Sequence, residues 1–164
     1  MKKILFTAIA FALVLTSCKP EIKGELGEPF DKVKGLSGNW ELGGFAQRDE
    51  NNPIKEVRDL SDFYIDGISA PTKFNFNSGD MTYTITPGPG KNFLSLNGNW
   101  RFDNPDFPTE LILESTTDTL TLKLGTVPRE FDQTIKMELP RFCVDELGVA
   151  SPTVTYIYTL NRAQ

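Results

Sequence analysis

The sequence predicts an all-β fold, an antiparallel barrel of about eight strands with a short helix, the alternative being a β-sandwich. Three observations point there. Apolar and polar residues alternate in short runs, the period of a strand with one buried face. Turn residues separate these runs about every ten positions. No glycine-rich phosphate loop and no alternation of strand with long helix interrupts them.

The elements follow in chain order. Residues 1–17 carry Lys2 and Lys3, an apolar run from Ile4 to Leu15 broken only by Thr7, and then Thr16 and Ser17. A run of about a dozen residues falls short of the roughly twenty that span a bilayer, so the segment reads as a cleaved signal peptide. Residues 18–34 are charged and contain Pro20, Gly24, Gly27 and Pro29, as a flexible tether would. The folded domain is residues 35–164.

Trp40 to Phe45 forms the first strand. Ile54, Val57, Leu60 and Tyr64 fit a helical stripe and supply the short helix. Phe74 and Phe76 alternate with Lys73, Asn75 and Asn77, and Met81, Tyr83 and Ile85 with threonines, before Pro87-Gly88-Pro89-Gly90 ends the run. Phe93 to Phe102 is an aromatic-rich strand. Leu111 to Glu114 and Thr119 to Leu124 pair as a hairpin across Ser115–Asp118. Ile135, Met137 and Leu139 form the next strand, and Val154, Tyr156, Tyr158 and Leu160 the last.

Composition narrows the function. Removing two lysines with the first 17 residues takes the net charge from −5 to −7, which disfavours nucleic-acid binding. The sequence has no histidine, so the usual neutral-pH base, the Ser-His-Asp and Cys-His arrangements and the commonest metal ligand are absent. No catalytic residue, cofactor or metal site is expected: paired carboxylates could cleave glycosides without histidine, but none of the 22 acidic residues stands out as a pair. Cys143, the cysteine left once Cys18 is modified, reads as a buried apolar residue.

Leu15-Thr16-Ser17-Cys18 resembles the lipobox of bacterial lipoproteins, which implies acylation of Cys18, attachment to a membrane through N-terminal acyl chains, and a place in the cell envelope. Lys19 in the following position favours the outer membrane and leaves the leaflet open. Gly38-Asn39-Trp40 is similar to the Gly-x-Trp signature of lipocalins, and Arg162 after the last strand to the basic residue that those barrels lay over the tryptophan. Together with Asp59–Tyr64 and the run from Gly98 to Thr109, the chain resembles the lipocalin-like lipoproteins of Bacteroidetes, a grouping of unknown function. The resemblance implies a barrel with structural roles for Trp40 and Arg162, and the family carries no established activity.

Tyr83, Trp100, Tyr156 and Tyr158 are the candidate ligand-binding residues, as aromatics that would line a cavity or stack on sugars; the plainer reading packs them into the core. Asp103-Asn104-Pro105-Asp106 gathers oxygens suited to calcium but too few of them, and reads as a turn; Asp49-Glu50-Asn51-Asn52-Pro53 reads as a solvated loop. The expectation is a noncatalytic envelope lipoprotein that binds a small apolar ligand or a glycan, the alternative being a structural or accessory subunit that contacts another envelope protein.

Overall fold

The computed structural model describes residues 30–163; the signal peptide, Cys18 and most of the tether lie outside the described residues. The chain forms α1 (Lys32–Leu36), β1 (Gly38–Asp49), β2 (Val57–Asp59), a 3-10 turn (Ser61–Phe63), β3 (Lys73–Asn77), β4 (Thr82–Thr86), β5 (Asn97–Phe102), β6 (Glu110–Glu114), β7 (Thr119–Leu124), β8 (Thr134–Val144) and β9 (Ala150–Arg162). Strands β1 and β3 to β9 meander up and down, and β1 pairs with β9 from Trp40↔Arg162 to Asp49↔Val154. The result is a closed antiparallel barrel of eight strands; β2 is an extra strand, sharing an edge of β1 with β3.

Strict alternation builds this fold. In β3, β4 and β6, and in β7 and β8 as far as Leu122 and Leu139, every second side chain points inward and is buried. The inward set includes Phe74, Phe76, Tyr83, Ile85, Leu111, Leu113, Leu122, Ile135, Met137 and Leu139 and forms one core. A register shift between Leu42 and Gly44 bends β1, and the side chain of Asn161 occupies the space a Cβ on Gly43 would need.

The antiparallel register places the loops at two ends. At one end lie α1, the β3–β4 turn, the β5–β6 and β7–β8 loops and Arg162. At the other lie the β4–β5 loop, the β6–β7 turn and the tip of the β8–β9 hairpin. The helix end is closed by Leu36 and Trp40, both 0% exposed, with Trp40 Nε1 donating to the Leu36 carbonyl at 2.8 Å. The Arg162 guanidinium lies 4.2 Å from the Trp40 ring centroid and donates to the carbonyls of Gly35, Ser37 and Asp132.

Two elements differ from the sequence expectation. The helical stripe of residues 54–64 is not a helix: Val57–Asp59 pairs with β1 at Ala46–Arg48, and a 3-10 turn follows. Ile54 and Val57 are exposed and only Leu60 and Tyr64 of the stripe pack on the core, so no continuous apolar face exists to hold a helix. Residues 32–36, straddling the expected end of the tether, form α1 because Asp31 Oδ1 accepts from the backbone N–H of Val33 and Lys34.

Candidate functional site

The four aromatic candidates lie inside the barrel. Trp100 is 1% exposed, donates from Nε1 to the Asn77 carbonyl, and meets Phe76 and Phe102 edge to face. Tyr83 and Tyr158 are buried with hydroxyls that have no hydrogen-bond partner among the described residues. Burial pushes both phenols above their ordinary range. Tyr156 is half-buried and stacks on Phe93 at 4.2 Å and on Phe45 at 5.7 Å.

These rings, with others, plug the hairpin end. Tyr64 covers Phe45 at 4.1 Å, and the Arg141 side chain crosses to donate to the Phe93 carbonyl at 3.0 Å. A void of about 10 Å³ remains beside Tyr158, between Tyr64 and the β4–β5 loop. That is room for one water, against the roughly 300 Å³ of a ligand pocket. The sequence brought the right residues inward, and packing fills the space between them.

The larger opening lies in the wall. The β7–β8 ladder holds Lys123↔Glu138 and Leu124↔Met137 and extends no further. Beyond it the ladder stops, and a groove of about 430 Å³ lies along the seam between Thr119, Leu120 and Thr121 on one side and Leu139, Pro140, Arg141 and Phe142 on the other. The cause can be read from the hydrogen bonds. The Gly125 N–H donates to the Lys136 carbonyl, so Lys136, Glu138 and Pro140 present their backbone groups to β7. The Leu124 N–H donates to Thr109, so the alternate residues Lys123, Thr121 and Thr119 face β8. Continuing the register sets Thr121 opposite Pro140. Proline has no N–H and its ring blocks the approach, so the pairing stops there.

The groove is amphipathic. Leu120 and Leu139, both core residues, form its floor, and Phe142, 57% exposed, stands on its wall. Glu110, Asp118, Lys123 and Arg141 supply two charges of each sign. A second depression of about 250 Å³ adjoins it, sharing Lys123, Pro140 and Phe142 and reaching Arg48, Glu50, Lys55, Glu138 and Thr155.

That neighbouring cluster corrects the solvated-loop reading of Glu50. Its side chain is 7% exposed and accepts from Thr155 Oγ1 at 2.6 Å, Arg48 Nε at 2.7 Å and Lys55 Nζ at 3.0 Å. The hydrogen bond from Thr155, then those from Arg48 and Lys55, bring the Glu50 carboxyl down to about 2. Arg48 also pairs with Glu138 at 2.8 Å, and these bonds raise its own affinity for the proton. A residue immediately past the end of a strand gave no sign of this, since its partners are on β1, the β1–β2 loop and β9.

Two other expectations resolve locally. Cys143 is exposed, not buried: the register shift between Arg141 and Phe142 ends the inward alternation of β8, which continues as a hairpin beyond the core. Asp103 spends its oxygens on the backbone N–H groups of Thr109 and Glu110 and the Thr109 hydroxyl, and Asn104 accepts from Asp106 and Phe107, so this is a turn. Among the described residues no cluster of three or more acidic or cysteine side chains is placed to hold a metal, and no helix is long and apolar enough to cross a membrane.

Fold and groove together define a small closed β-barrel with a packed interior and an opening in its wall. Compared with known proteins, the chain matches no family model and no curated sequence.

Proposed function

We propose that the chain is a noncatalytic, lipocalin-like lipoprotein of the cell envelope, anchored through acyl chains on Cys18, that serves as an accessory subunit docking another envelope protein at the barrel wall. The observation that carries this reading is the contrast between the plugged interior and the groove of about 430 Å³ at the β7–β8 opening. The complete absence of histidine supports a noncatalytic role, and the Trp40–Arg162 contact agrees with a lipocalin-like closed end. A small apolar ligand inside the barrel would have to displace Phe93 and Tyr156 from their stack. The anchored N-terminus leads to the helix end, which leaves the groove and the exposed hairpin residues Val144, Leu147 and Val149 free to meet a partner.

A second reading uses the same groove. Phe142 beside Asp118, Glu110, Lys123 and Arg141 offers a ring face with polar groups around it, the chemistry of a glycan site. The test places a photo-crosslinking residue at Phe142, or at the control position Lys136 on the same strand, in the full chain within native membranes. The accessory reading expects a defined crosslinked protein from position 142 and none from 136. A thermal-shift screen of the full chain against soluble glycans tests the other: a ligand at a hundred times its dissociation constant adds about 2.7 kcal/mol. Equal crosslinking from both positions would sink the accessory reading.

A further inference from the structure

Resting on the acyl-anchored part of that reading, we infer that the helix end of the barrel is a membrane-docking face, which seats Phe30, Phe107 and Phe131 in the headgroup region of the zwitterionic bilayer that holds the Cys18 chains. Three rings from three separate segments stand out of the surface there: Phe30 just before α1, Phe107 in the β5–β6 loop and Phe131 in the β7–β8 loop, 40%, 77% and 67% exposed. The segments are fixed to one another. Gly35 of α1 lies against Pro128, and the Leu124 N–H donates to the Thr109 carbonyl, which ties the two loops together. The Arg129 guanidinium lies 5.1 Å from the Phe30 centroid and 5.9 Å from that of Phe131, with Lys32 Nζ 5.6 Å from Phe30. Rings ordered beside long cationic side chains suit a bilayer interface, where the rings enter the boundary between headgroups and acyl chains and the cations reach phosphate.

The position of the anchor decides the occupant. Residues 19–29 separate Cys18 from Phe30, a reach of at most about 40 Å when fully extended. That segment enters the fold at the helix end, so the acyl chains hold this face near the bilayer and the hairpin end away from it. The hairpin end also exposes apolar residues, Leu96, Phe142, Val144, Leu147 and Val149, but the barrel must turn over to bring them to the same surface, and all but Phe142 are aliphatic. Charge selects the headgroup. Around the rings Lys32, Lys34 and Arg129 are matched by Asp31, Glu130 and Asp132, and the neighbouring turns add Asp80, Asp103 and Asp106, so no positive field draws anionic lipid. Burial of the rings makes the contact, and a zwitterionic headgroup is the one that this face meets without repulsion.

The test reconstitutes the full lipidated chain in phosphatidylcholine liposomes that carry an energy acceptor on the headgroup, with a donor dye either on Cys143 or, in Glu130→Cys/Cys143→Ser, at the helix end. More than about 20 Å of tilted strand separates Cys143 from that end, so transfer from position 130 should exceed transfer from position 143 at least about twofold. Phe30→Ser, Phe107→Ser and Phe131→Ser together, surface changes whose folding is checked by thermal melting, free the barrel to tumble: transfer from 130 falls, transfer from 143 rises and the ratio approaches unity. Leu147→Ser/Val149→Ser, at the hairpin end, should leave the ratio as it is. Equal transfer from both positions, a ratio that the three serines do not move, or one that Leu147→Ser/Val149→Ser lowers instead overturns the inference, as does a preferred end that appears only when phosphatidylglycerol replaces phosphatidylcholine. Flotation separates this failure from that of the anchor. A chain that floats with the liposomes but shows no preferred end keeps its acyl chains and loses its docking face; a chain without acyl mass that stays at the bottom of the gradient loses both.

Discussion

Replacing Arg162 by methionine is expected to cost about 3.5–4 kcal/mol of stability. The guanidinium donates from Nε to Asp132, from Nη1 to Ser37 and from Nη2 to Gly35, at 3.1, 3.1 and 2.8 Å, and lies 4.2 Å from the Trp40 centroid. Fully buried bonds from a charged donor are each worth about 1.5–3 kcal/mol. Arg162 is half-buried, so water replaces part of each, and about 1 kcal/mol per bond is the appropriate scale. The cation–π contact adds about 0.5–1 kcal/mol. Methionine keeps the apolar stem over Trp40 and removes the fork. Arg162→Lys keeps a cation near the ring but cannot reach three carbonyls, and should lose about half as much. Urea unfolding followed by circular dichroism measures both, and the methionine variant should melt roughly 10 °C lower. A loss below about 1 kcal/mol for Arg162→Met would refute the view that this residue ties α1, the β7–β8 loop and β9 together.

Glu50→Gln tests the ion-pair cluster through pH. The folded-state carboxyl titrates near 2, below its ordinary 4.5, so its contribution is complete above 4.5 and lost as pH falls towards 2. Urea midpoints at pH 6 and pH 3 should therefore differ less in the variant than in the parent; equal differences would remove Glu50 from the account. Gly35→Ala places a Cβ 2.6 Å from the carbonyl carbon and oxygen of Pro128, and moving α1 aside should cost about 2 kcal/mol, read from the same midpoints. Tyr158→Phe deletes a buried hydroxyl with no partner, so stability should hold or rise by up to about 1 kcal/mol, and a clear loss by thermal melting would mean that the hydroxyl is bonded.

The strands were legible because their signal is local. Tyr83 and Ile85, Leu120 and Leu122, and Ile135, Met137 and Leu139 announce a buried face by spacing alone, and each is buried. The same local logic failed where pairing partners decide the outcome. Ile54 and Val57 fit a helical stripe in sequence, yet Val57 is drawn onto the edge of β1. Cys143 continues the numerical alternation of β8 but falls after a register shift, outside the core. Glu50 sits in a run rich in asparagine and acid, and its burial comes from Thr155, 105 positions away. The aromatic candidates were placed correctly on inner faces, but whether an inner face lines a cavity or fills it depends on how many rings converge from different strands. Phe45, Tyr64, Phe93, Tyr156 and Tyr158 come from four separate segments and plug the end together.

The wall opening did leave a mark in the sequence. Proline inside an alternating run belongs on an unpaired edge, and Pro140 follows Ile135, Met137 and Leu139 in just such a run. In a closed barrel every strand has two neighbours, so a proline whose missing donor faces one of them ends the ladder at that junction. Pro140 keeps its register with Thr155 of β9 and loses it with Thr121 of β7, because parity turns its backbone towards β7. A residue with an N–H at this position would gain a ladder pair and close the wall. The opening is therefore a property of one side chain, set in a wall whose other junctions are intact, and that is why one substitution, Pro140→Val, can separate the stability of the barrel from whatever its groove receives.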